Sequence, residues 1–290
     1  DDYLADIVDE IGLTPPLQEI RNDPSFAVTL FNEYMKKLNP ILKRENRIIV
    51  LLIDEFTYLH GYINEGKIPS SFMRFWKAFL QNYCVFAIVA GQDDMPEFIR
   101  EYQNEFACME LLKLNYLDER DAKQLVQVPL EQVNNRTGLF KNDGSIHKIY
   151  SLTAGSAYLT IILCSKLVSY LNEKGAYVIT KGIVNEFLRT RAFGPRGFLT
   201  EVNFEAQLQE RGHRELDDIN RDILISIARL SQTTGYARAS DIECQNLSLS
   251  DIQAYVDRLV DRNVLIKEGR DQYWIQVKLL ERWLINTMGV

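Results

Sequence analysis

Apolar positions follow two different patterns in the first part of the chain. From 48 to 53 and from 84 to 90 every residue is apolar, and such short uninterrupted runs are typical of strands that are buried on both faces of a parallel sheet. From 25 to 38 and from 70 to 82 apolar residues instead recur every three or four positions. That spacing predicts two amphipathic helices.

The alternation of strands and helices continues up to Tyr116. A helix is expected from about Pro96, because proline is favourable in the first turn of a helix, and a third strand is expected over 109–114. Strand, helix, strand, helix and strand in this order predict an α/β fold with a parallel sheet. In the first helix of the series, Ser25 is expected to be the cap and Pro40 the terminator.

After Tyr116 the strand pattern stops. Helical spacing predicts a short helix at 118–126, two helices that meet within 146–171, and one at 181–191, so that this part of the chain is expected to be all-helical. A segment rich in glycine and proline at 193–197 then reads as a linker.

The C-terminal residues add a further set of helices and a hairpin. Helices are expected at 217–230, 248–262 and about 277–288, and the last two flank strands at 264–266 and 273–275 that are joined by Glu-Gly-Arg-Asp. Helices followed by a small hairpin predict a winged helix. The expected domains are therefore 1–116, 117–192 and 193–290.

Composition narrows the function classes. The 290 residues are 46% hydrophobic, which is enough to build real cores, and the net charge of −7 without a run of lysine or arginine gives no sign of a large nucleic-acid surface. The sequence has no signal peptide, no apolar stretch that could span a membrane and no CxxC pair. We therefore expect a cytoplasmic protein with buried thiols and no zinc site.

Polar residues follow both apolar runs. Asp54 and Glu55 come after the first run, and Gly91 and Gln92 come after the second. Because ligands bind at the carboxyl ends of parallel strands, these residues mark a candidate site, and a carboxylate at a strand end supplies the oxygen that Mg²⁺ prefers. The alternatives are a strand that merely enters a polar turn at Asp54, and a turn at Gln92 that caps the next helix.

In this order, the features resemble the P-loop ATPases of the AAA+ and STAND branch, in particular prokaryotic STAND-like ATPases and their archaeal relatives, over roughly residues 25 to 290. The resemblance implies a partial P-loop NTPase core, a helical lid and a C-terminal winged helix. Leu-Leu-Ile-Asp-Glu-Phe at 51–56 resembles their Walker B motif. By that resemblance Asp54 would hold Mg²⁺ through water, and Glu55 would orient and deprotonate the water that attacks the γ-phosphate of ATP.

The same resemblance assigns two further positions. Gln92 would be the polar sensor 1 group near the γ-phosphate, where many relatives have arginine. Gly155, in Leu-Thr-Ala-Gly-Ser-Ala-Tyr at 152–158, would lie in the lid segment that approaches the adenine and phosphates, although Ala157 stands where relatives have proline.

The sequence departs from the family at the phosphate-binding loop. Walker A has the form Gly-x-x-x-x-Gly-Lys-[Ser/Thr], and only Gly61–Lys67 approaches it. Ile68 replaces the hydroxyl residue, Pro69 follows, and the stretch comes after the Walker B strand instead of before it. We therefore expect the loop upstream of Asp1 and the chain to be a fragment that lacks a complete nucleotide site.

The leading functional hypothesis is the C-terminal portion of an ATP-binding regulatory ATPase, a nucleotide-dependent switch that gates self-association or an effector protein. Hydrolysis of ATP would require the upstream loop, so that the fragment alone is expected to be inactive. One alternative is a non-enzymatic DNA-binding regulator that uses Arg258, Arg262, Lys267 and Arg270, although neighbouring acidic residues offset these charges. The other is a degenerate ATPase fold that serves as an interaction scaffold.

Overall fold

The computed structural model describes residues 12–91, 95–134, 139–141, 143–193, 196–209, 216–245 and 247–287. The chain forms two compact units, Asp1–Leu112 and Lys113–Val290. No helix among these described residues is both long enough and apolar enough to cross a membrane.

The first unit is an α/β unit. Its strands, β1 (Ile49–Ile53) and β2 (Val85–Val89), pair in parallel, with Ile49 opposite Val85 and Ile53 opposite Val89. Its helices are α1 (Leu17–Asn22), α2 (Ala27–Glu45), α3 (Thr57–Asn64), α4 (Ser71–Asn82), α5 (Met95–Glu101) and α6 (Gln103–Phe106). The predicted parallel α/β arrangement is therefore present in this unit.

One face of the sheet packs on a hydrophobic core and the other does not. Alternate strand residues, among them Leu51 and Ala87, contact a core built from the helices. On the opposite face Leu52 is 75% exposed and Phe86 is 56% exposed, and Val50 and Ile88 are exposed with them. The prediction of strands buried on both faces is therefore wrong, because a run of apolar residues does not reveal whether a second layer covers the sheet.

Another expectation, a third strand in the sheet, is wrong. Residues 109–114 form no strand, and Leu111, Leu112 and Leu114 in this stretch are exposed. Within the described residues this stretch pairs with neither β1 nor β2, so that its backbone gains no hydrogen bonds from the sheet.

The helix α2 passes through Pro40 and ends at Glu45, with Asn46 in the left-handed conformation (φ 54°) as its C-cap. Proline removes one hydrogen bond from a helix, and burial of Leu38 and Leu42 on either side of it offsets that loss. Ser25 does not cap the helix, since it lies in a 3-10 turn and its hydroxyl donates to the Asp23 carboxylate.

The described residues of the second unit form helices and one hairpin. Its helices are α7 (Glu119–Asn134), α8 (Ser145–Thr153), α9 (Ala157–Lys174), α10 (Lys181–Phe187), α11 (Glu205–Leu208), α12 (Asp217–Thr234), α13 (Leu249–Asp261) and α14 (Lys278–Thr287). The strands β3 (Leu265–Glu268) and β4 (Gln272–Ile275) are antiparallel and turn at Gly269, whose φ is 62°. The predicted hairpin and the helices on both sides of it are present.

A single hydrophobic core extends through the second unit, from Val126 in α7 to Leu284 in α14. The stretch that follows the expected linker is held to the chain before it, because Leu199 N–H donates to the Ala192 carbonyl at 3.1 Å. The Leu199 carbonyl in turn accepts from Trp283 Nε1, also at 3.1 Å. The expected domain boundary at 192–193 remains an interpretation of the sequence. In the structure, residues before and after it share hydrogen bonds and one hydrophobic core.

Candidate functional site

Asp54 and Glu55 lie at the carboxyl end of β1, next to the end of β2. Ala90 N–H donates to the Ile53 carbonyl at 2.8 Å, and Phe56 N–H donates to the Ala90 carbonyl at 2.7 Å. These two bonds continue the pairing of the strands past their ends and fix the Asp54–Glu55 peptide beside the second strand. The structure therefore places both acidic residues where ligands bind to parallel sheets.

The backbone at Glu55 is strained. Its φ of 53° lies in the left-handed region, which costs a residue with a Cβ roughly 1–2 kcal/mol. Asp54 Oδ1 accepts the Glu55 N–H at 2.9 Å and so stabilises this turn. Strain that is held in place by neighbouring contacts is a frequent property of functional sites.

The two carboxylates have different surroundings. Asp54 is exposed, and the structure gives its Oδ2 no hydrogen bond within the described residues. Glu55 is half-buried, and its Oε2 is inaccessible to solvent. An exposed carboxylate at a strand end fits the usual binding of Mg²⁺, which keeps several waters and takes one or two protein carboxylates together with phosphate oxygens.

A dedicated protein metal cage is absent from the described part of the chain, where no group of three or more His, Cys, Asp or Glu side chains could hold an ion. Mg²⁺ at Asp54 would therefore depend on water and on phosphate oxygens for its remaining ligands.

The end of β2 packs directly against the start of α3. Gly91 leaves no room for a side chain, since a Cβ there would lie 2.7 Å from Thr57 Cγ2 and 2.8 Å from Met95 Sδ. Thr57 itself is buried. Gln92, the expected sensor 1 residue, lies outside the described residues, and its assignment stays a prediction.

An aromatic cluster packs around Phe56, the residue that follows Asp54 and Glu55. Phe56 is buried, with its ring centroid 5.3 Å from that of Trp76 and 5.9 Å from that of Phe98. His60, one turn further along α3, stacks on Phe98 at 4.7 Å, and its Nε2 lies 2.7 Å from Glu101 Oε2. Burial of the Phe56 ring thus fixes the position of the two acidic residues that precede it. The apolar pattern of the sequence did not reveal this role.

Gly155 lies in the second unit, in the turn between α8 and α9. Its φ is 80°, and a Cβ on it would lie 1.9 Å from the Leu117 carbonyl oxygen. Leu117 N–H donates to the Gly155 carbonyl at 2.9 Å. A close backbone approach therefore requires glycine at this position, and a contact with nucleotide at Gly155 stays a prediction.

A polar pocket of about 310 Å³ opens beside this turn, within the second unit. Its lining residues come from distant parts of the sequence and are Asn115, Tyr116, Leu117, Asp118, Tyr150, Ala154, Asn263 and Gln276. Asn263 Nδ2 donates to Asn115 Oδ1 at 3.2 Å, and Asn263 and Ala154 both have a positive φ. The sequence analysis did not predict this pocket. The single local signal was Asn263, which follows the end of a helix, a position where the left-handed conformation is common.

The cations considered for DNA binding are largely engaged within the unit. Arg262 donates from Nη2 to the Ala206 carbonyl at 3.0 Å and also to the Gln209 carbonyl. Lys267 Nζ lies 3.2 Å from Asp257 Oδ1. Both side chains therefore bind groups within the unit. Fewer cationic groups of α13 and the hairpin remain available to bind a phosphate backbone.

Comparison with known proteins gives a structural likeness only. No family model matches the chain, and no curated protein matches it. Among solved structures, the Aeropyrum pernix ORC2 protein in its ADPNP-ADP complexes aligns over 91% of this chain and 76% of that chain, with 12% identity and a TM-score of 0.49.

A second solved structure in the comparison is the Thermotoga maritima RuvB Holliday junction branch migration motor. It aligns over 77% of this chain and 65% of that chain, with 15% identity and a TM-score of 0.42. This chain thus spans just under two thirds of the RuvB chain. At these identities, and with TM-scores below 0.5, the likeness assigns no family.

Proposed function

We propose that this chain is the Walker B-bearing portion of an ATP-binding regulatory ATPase of the AAA+ and STAND type. The observation that carries the proposal is the placement of Asp54 and Glu55 at the carboxyl end of a parallel strand, in a strained turn held against the neighbouring strand. Two adjacent carboxylates at such a point suit the chemistry of a metal-bound phosphate and an attacking water.

The two acidic residues have different roles in this proposal. The exposed Asp54 would hold Mg²⁺, and the ion, when bound, would neutralise charge that develops on the phosphates. Glu55 orients the attacking water and takes its proton. Gln92 contributes a polar group near the γ-phosphate.

The second unit contributes the lid and a winged helix. In this proposal the nucleotide approaches the lid at Gly155, beside a polar pocket lined by the carboxamides of Asn115, Asn263 and Gln276, of which Asn115 and Asn263 hydrogen-bond each other. The tight turn at Gly155 keeps the lid backbone close to Leu117. Binding of ATP would then bias the domain arrangement and so gate self-association or an effector.

The proposal requires a phosphate-binding loop from outside this sequence, since no stretch of the 290 residues has the Walker A form. The direct test is calorimetric titration with Mg-ATP of this chain and of any longer natural form of it. The longer form is expected to bind and to hydrolyse ATP, whereas Glu55→Gln should retain binding and lose turnover. Glu110→Gln, which alters an exposed carboxylate elsewhere, is the matched control.

Unchanged hydrolysis in Glu55→Gln would refute the assignment of Glu55. Failure of every natural form to bind Mg-ATP would refute the proposed function as a whole.

A second candidate, an ATPase fold that serves only as an interaction scaffold, is favoured by the exposed apolar face of the sheet around Leu52 and Phe86. Exposed apolar patches on soluble proteins are often interaction sites. A scaffold would bind its partner equally well with Asp54→Ala and without nucleotide, whereas a switch would lose the nucleotide dependence of partner binding in that variant.

A further inference from the structure

The polar pocket beside Gly155 carries hydrogen-bonding groups and one negative charge. The carboxamides of Asn115, Asn263 and Gln276 line it together with the carboxylate of Asp118. Among the lining residues that the structure describes, none is a lysine, an arginine or a histidine. A cationic ligand would therefore meet an opposite charge in this pocket, and an anionic ligand would not.

Hydrogen bonds fix the backbone that bears these groups. Gln276 N–H donates to the Val264 carbonyl at 3.0 Å, and Leu117 N–H donates to the Gly155 carbonyl at 2.9 Å. Asn263 follows α13 in the left-handed conformation, with a φ of 57°. A pocket whose walls are already held in place loses little free energy to ordering when a ligand binds.

Acceptor oxygens remain in the pocket after the contacts within its wall are made. Asn263 Nδ2 donates to Asn115 Oδ1 at 3.2 Å, and this bond does not use Asn263 Oδ1. Asp118 Oδ1 accepts the backbone N–H of Asp121 at 2.8 Å and so caps α7, while its Oδ2 forms no hydrogen bond within the described residues. One carboxamide oxygen and one carboxylate oxygen are thus available to a ligand that donates.

Two tyrosine rings add aromatic surface to these oxygens. Tyr116 and Tyr150 both line the pocket and are half-buried. The Tyr116 hydroxyl accepts from Nε2 of the buried Gln207 at 3.4 Å, which restrains its ring. Planar cations stack favourably on aromatic rings. The volume of about 310 Å³ is near the lower end of the range of small-molecule sites, about 300–1,000 Å³.

We infer that the polar pocket binds a guanidinium group. A guanidinium is planar, carries one positive charge and presents five N–H donors without an acceptor, so that it matches carboxylate and carboxamide oxygens beside aromatic rings. An apolar group would instead leave the carboxamides without hydrogen bonds. The guanidinium belongs either to a free small molecule or to an arginine side chain of a protein partner, and the experiment separates these sources.

A ligand in this pocket would connect two parts of the second unit. Tyr150 belongs to α8, in the stretch expected to form the lid, whereas Asn263 and Gln276 flank the hairpin. Binding would therefore stabilise one arrangement of these parts. A role of the ligand as the effector of a switch rests on the proposed function, but binding itself does not.

The test is calorimetric titration of the 290-residue chain with agmatine, a small guanidinium compound, together with thermal unfolding in its presence. Agmatine is expected to bind saturably and to raise the Tm. Asp118→Asn keeps a side chain that caps a helix but removes the charge, and should weaken binding by roughly tenfold. Asp218→Asn removes the same charge from the exposed first turn of α12 and should leave binding unchanged.

A second variant tests the carboxamide without disturbing the fold. Asn263→Gly keeps the left-handed backbone and removes the side chain, and should weaken agmatine binding by roughly fivefold. Asn46→Gly is the matched control, since Asn46 also ends a helix in the left-handed conformation, with a φ of 54°, but lies in the first unit. Unchanged affinity in both Asp118→Asn and Asn263→Gly, or no saturable binding by the wild type, would refute the site.

Competing compounds test the chemical class of the ligand. Putrescine has the same length and charge as agmatine with an ammonium in place of the guanidinium, and equal affinity for it would overturn the inference. Displacement of agmatine by adenosine would also overturn it, because the pocket would then belong to the nucleotide. Asp54→Ala should leave agmatine affinity unchanged, so that failure here is distinct from failure of the proposed ATPase function.

A Gly-Arg-Gly peptide with blocked ends identifies the source of the guanidinium. Tighter binding of the peptide than of agmatine assigns the pocket to an arginine side chain of a protein partner. Tighter binding of agmatine assigns it to a free small molecule. In either case the affinity should fall in Asp118→Asn, and an affinity that does not fall would refute the site.

Discussion

Gly91 and Thr57 are packed so closely that a Cβ on Gly91 would lie 2.7 Å from Thr57 Cγ2. This contact fixes the end of β2 against the first turn of α3, the helix that follows Asp54 and Glu55. The position of the candidate site therefore depends on the absence of a side chain at residue 91.

Replacement of Gly91 by alanine should consequently destabilise the first unit. The added methyl group must displace Thr57 or Met95, which we expect to cost about 1–3 kcal/mol in the free energy of unfolding, measured with urea. Gly61→Ala is the control: it lies inside α3 with open space around it, and alanine should stabilise the helix by up to about 1 kcal/mol. Equal effects of the two substitutions would contradict the packing.

Gly155→Ala should be the most damaging glycine substitution in the second unit. The new Cβ would overlap the Leu117 carbonyl at 1.9 Å while the backbone is held at a φ of 80°, so we expect a loss of at least about 3 kcal/mol in urea unfolding. Gly175→Ala has the same kind of backbone strain, with a φ of 63°, but open space around the Cβ, and should cost only about 1 kcal/mol. A small loss for Gly155→Ala would show that the turn can move away from Leu117.

The sequence predicted those parts of the fold that depend on local spacing. The parallel strands, the helix at 70–82 and the C-terminal hairpin all follow from periodicity and turn residues, and Asp54 and Glu55 were found because they end an apolar strand. The path of α2 through Pro40 and the absent strand at 109–114 depend instead on which layers are available for packing, and a linear pattern does not contain that information.

The same limit applies to the candidate sites. Asn115 and Asn263 meet at a pocket although they are distant in sequence, and neither stands in a recognisable motif. Gly155 was singled out by resemblance to a nucleotide-contacting segment, whereas its geometry provides a packing reason for glycine. Contacts between residues that are distant in sequence thus form the pocket and require glycine at position 155. The spacing of residues along the chain does not predict such contacts.

Adjacent leucines of β1 offer a direct test of the one-sided sheet. Leu52 is 75% exposed, whereas Leu51 packs against the core of the first unit. Leu52→Asn should therefore change the free energy of unfolding by no more than about 0.5 kcal/mol, and Leu51→Asn should cost about 2–3 kcal/mol. Similar losses for both variants in urea unfolding would mean that a layer covers the second face.

The cysteines should differ in reactivity toward a thiol reagent. Cys108 is exposed, so that the expectation of buried thiols is wrong for this residue, while burial raises the pKa of the Cys164 thiol to about 12. At pH 8 only about one in ten thousand Cys164 thiols would be a thiolate, the form that reacts. We expect Cys108 to be modified first in native protein, as followed by mass spectrometry of peptides, and Cys164 to react only after unfolding. Early modification of Cys164 would contradict its burial.

The N-terminus of α13 should make stability depend on pH in acid. Ser248 and Asp251 form a capping box, and hydrogen bonds from the Ser248 hydroxyl and backbone N–H lower the pKa of Asp251 below its usual 3.8. A carboxyl whose pKa is lower in the folded state stabilises the fold above its unfolded pKa, and this contribution is lost as the pH falls through 3.8 toward the folded value. Urea unfolding of wild type and Asp251→Asn across this range should therefore show the larger acid-induced loss in the wild type. Parallel pH profiles would show that the bond between Ser248 and Asp251 contributes nothing to stability in solution.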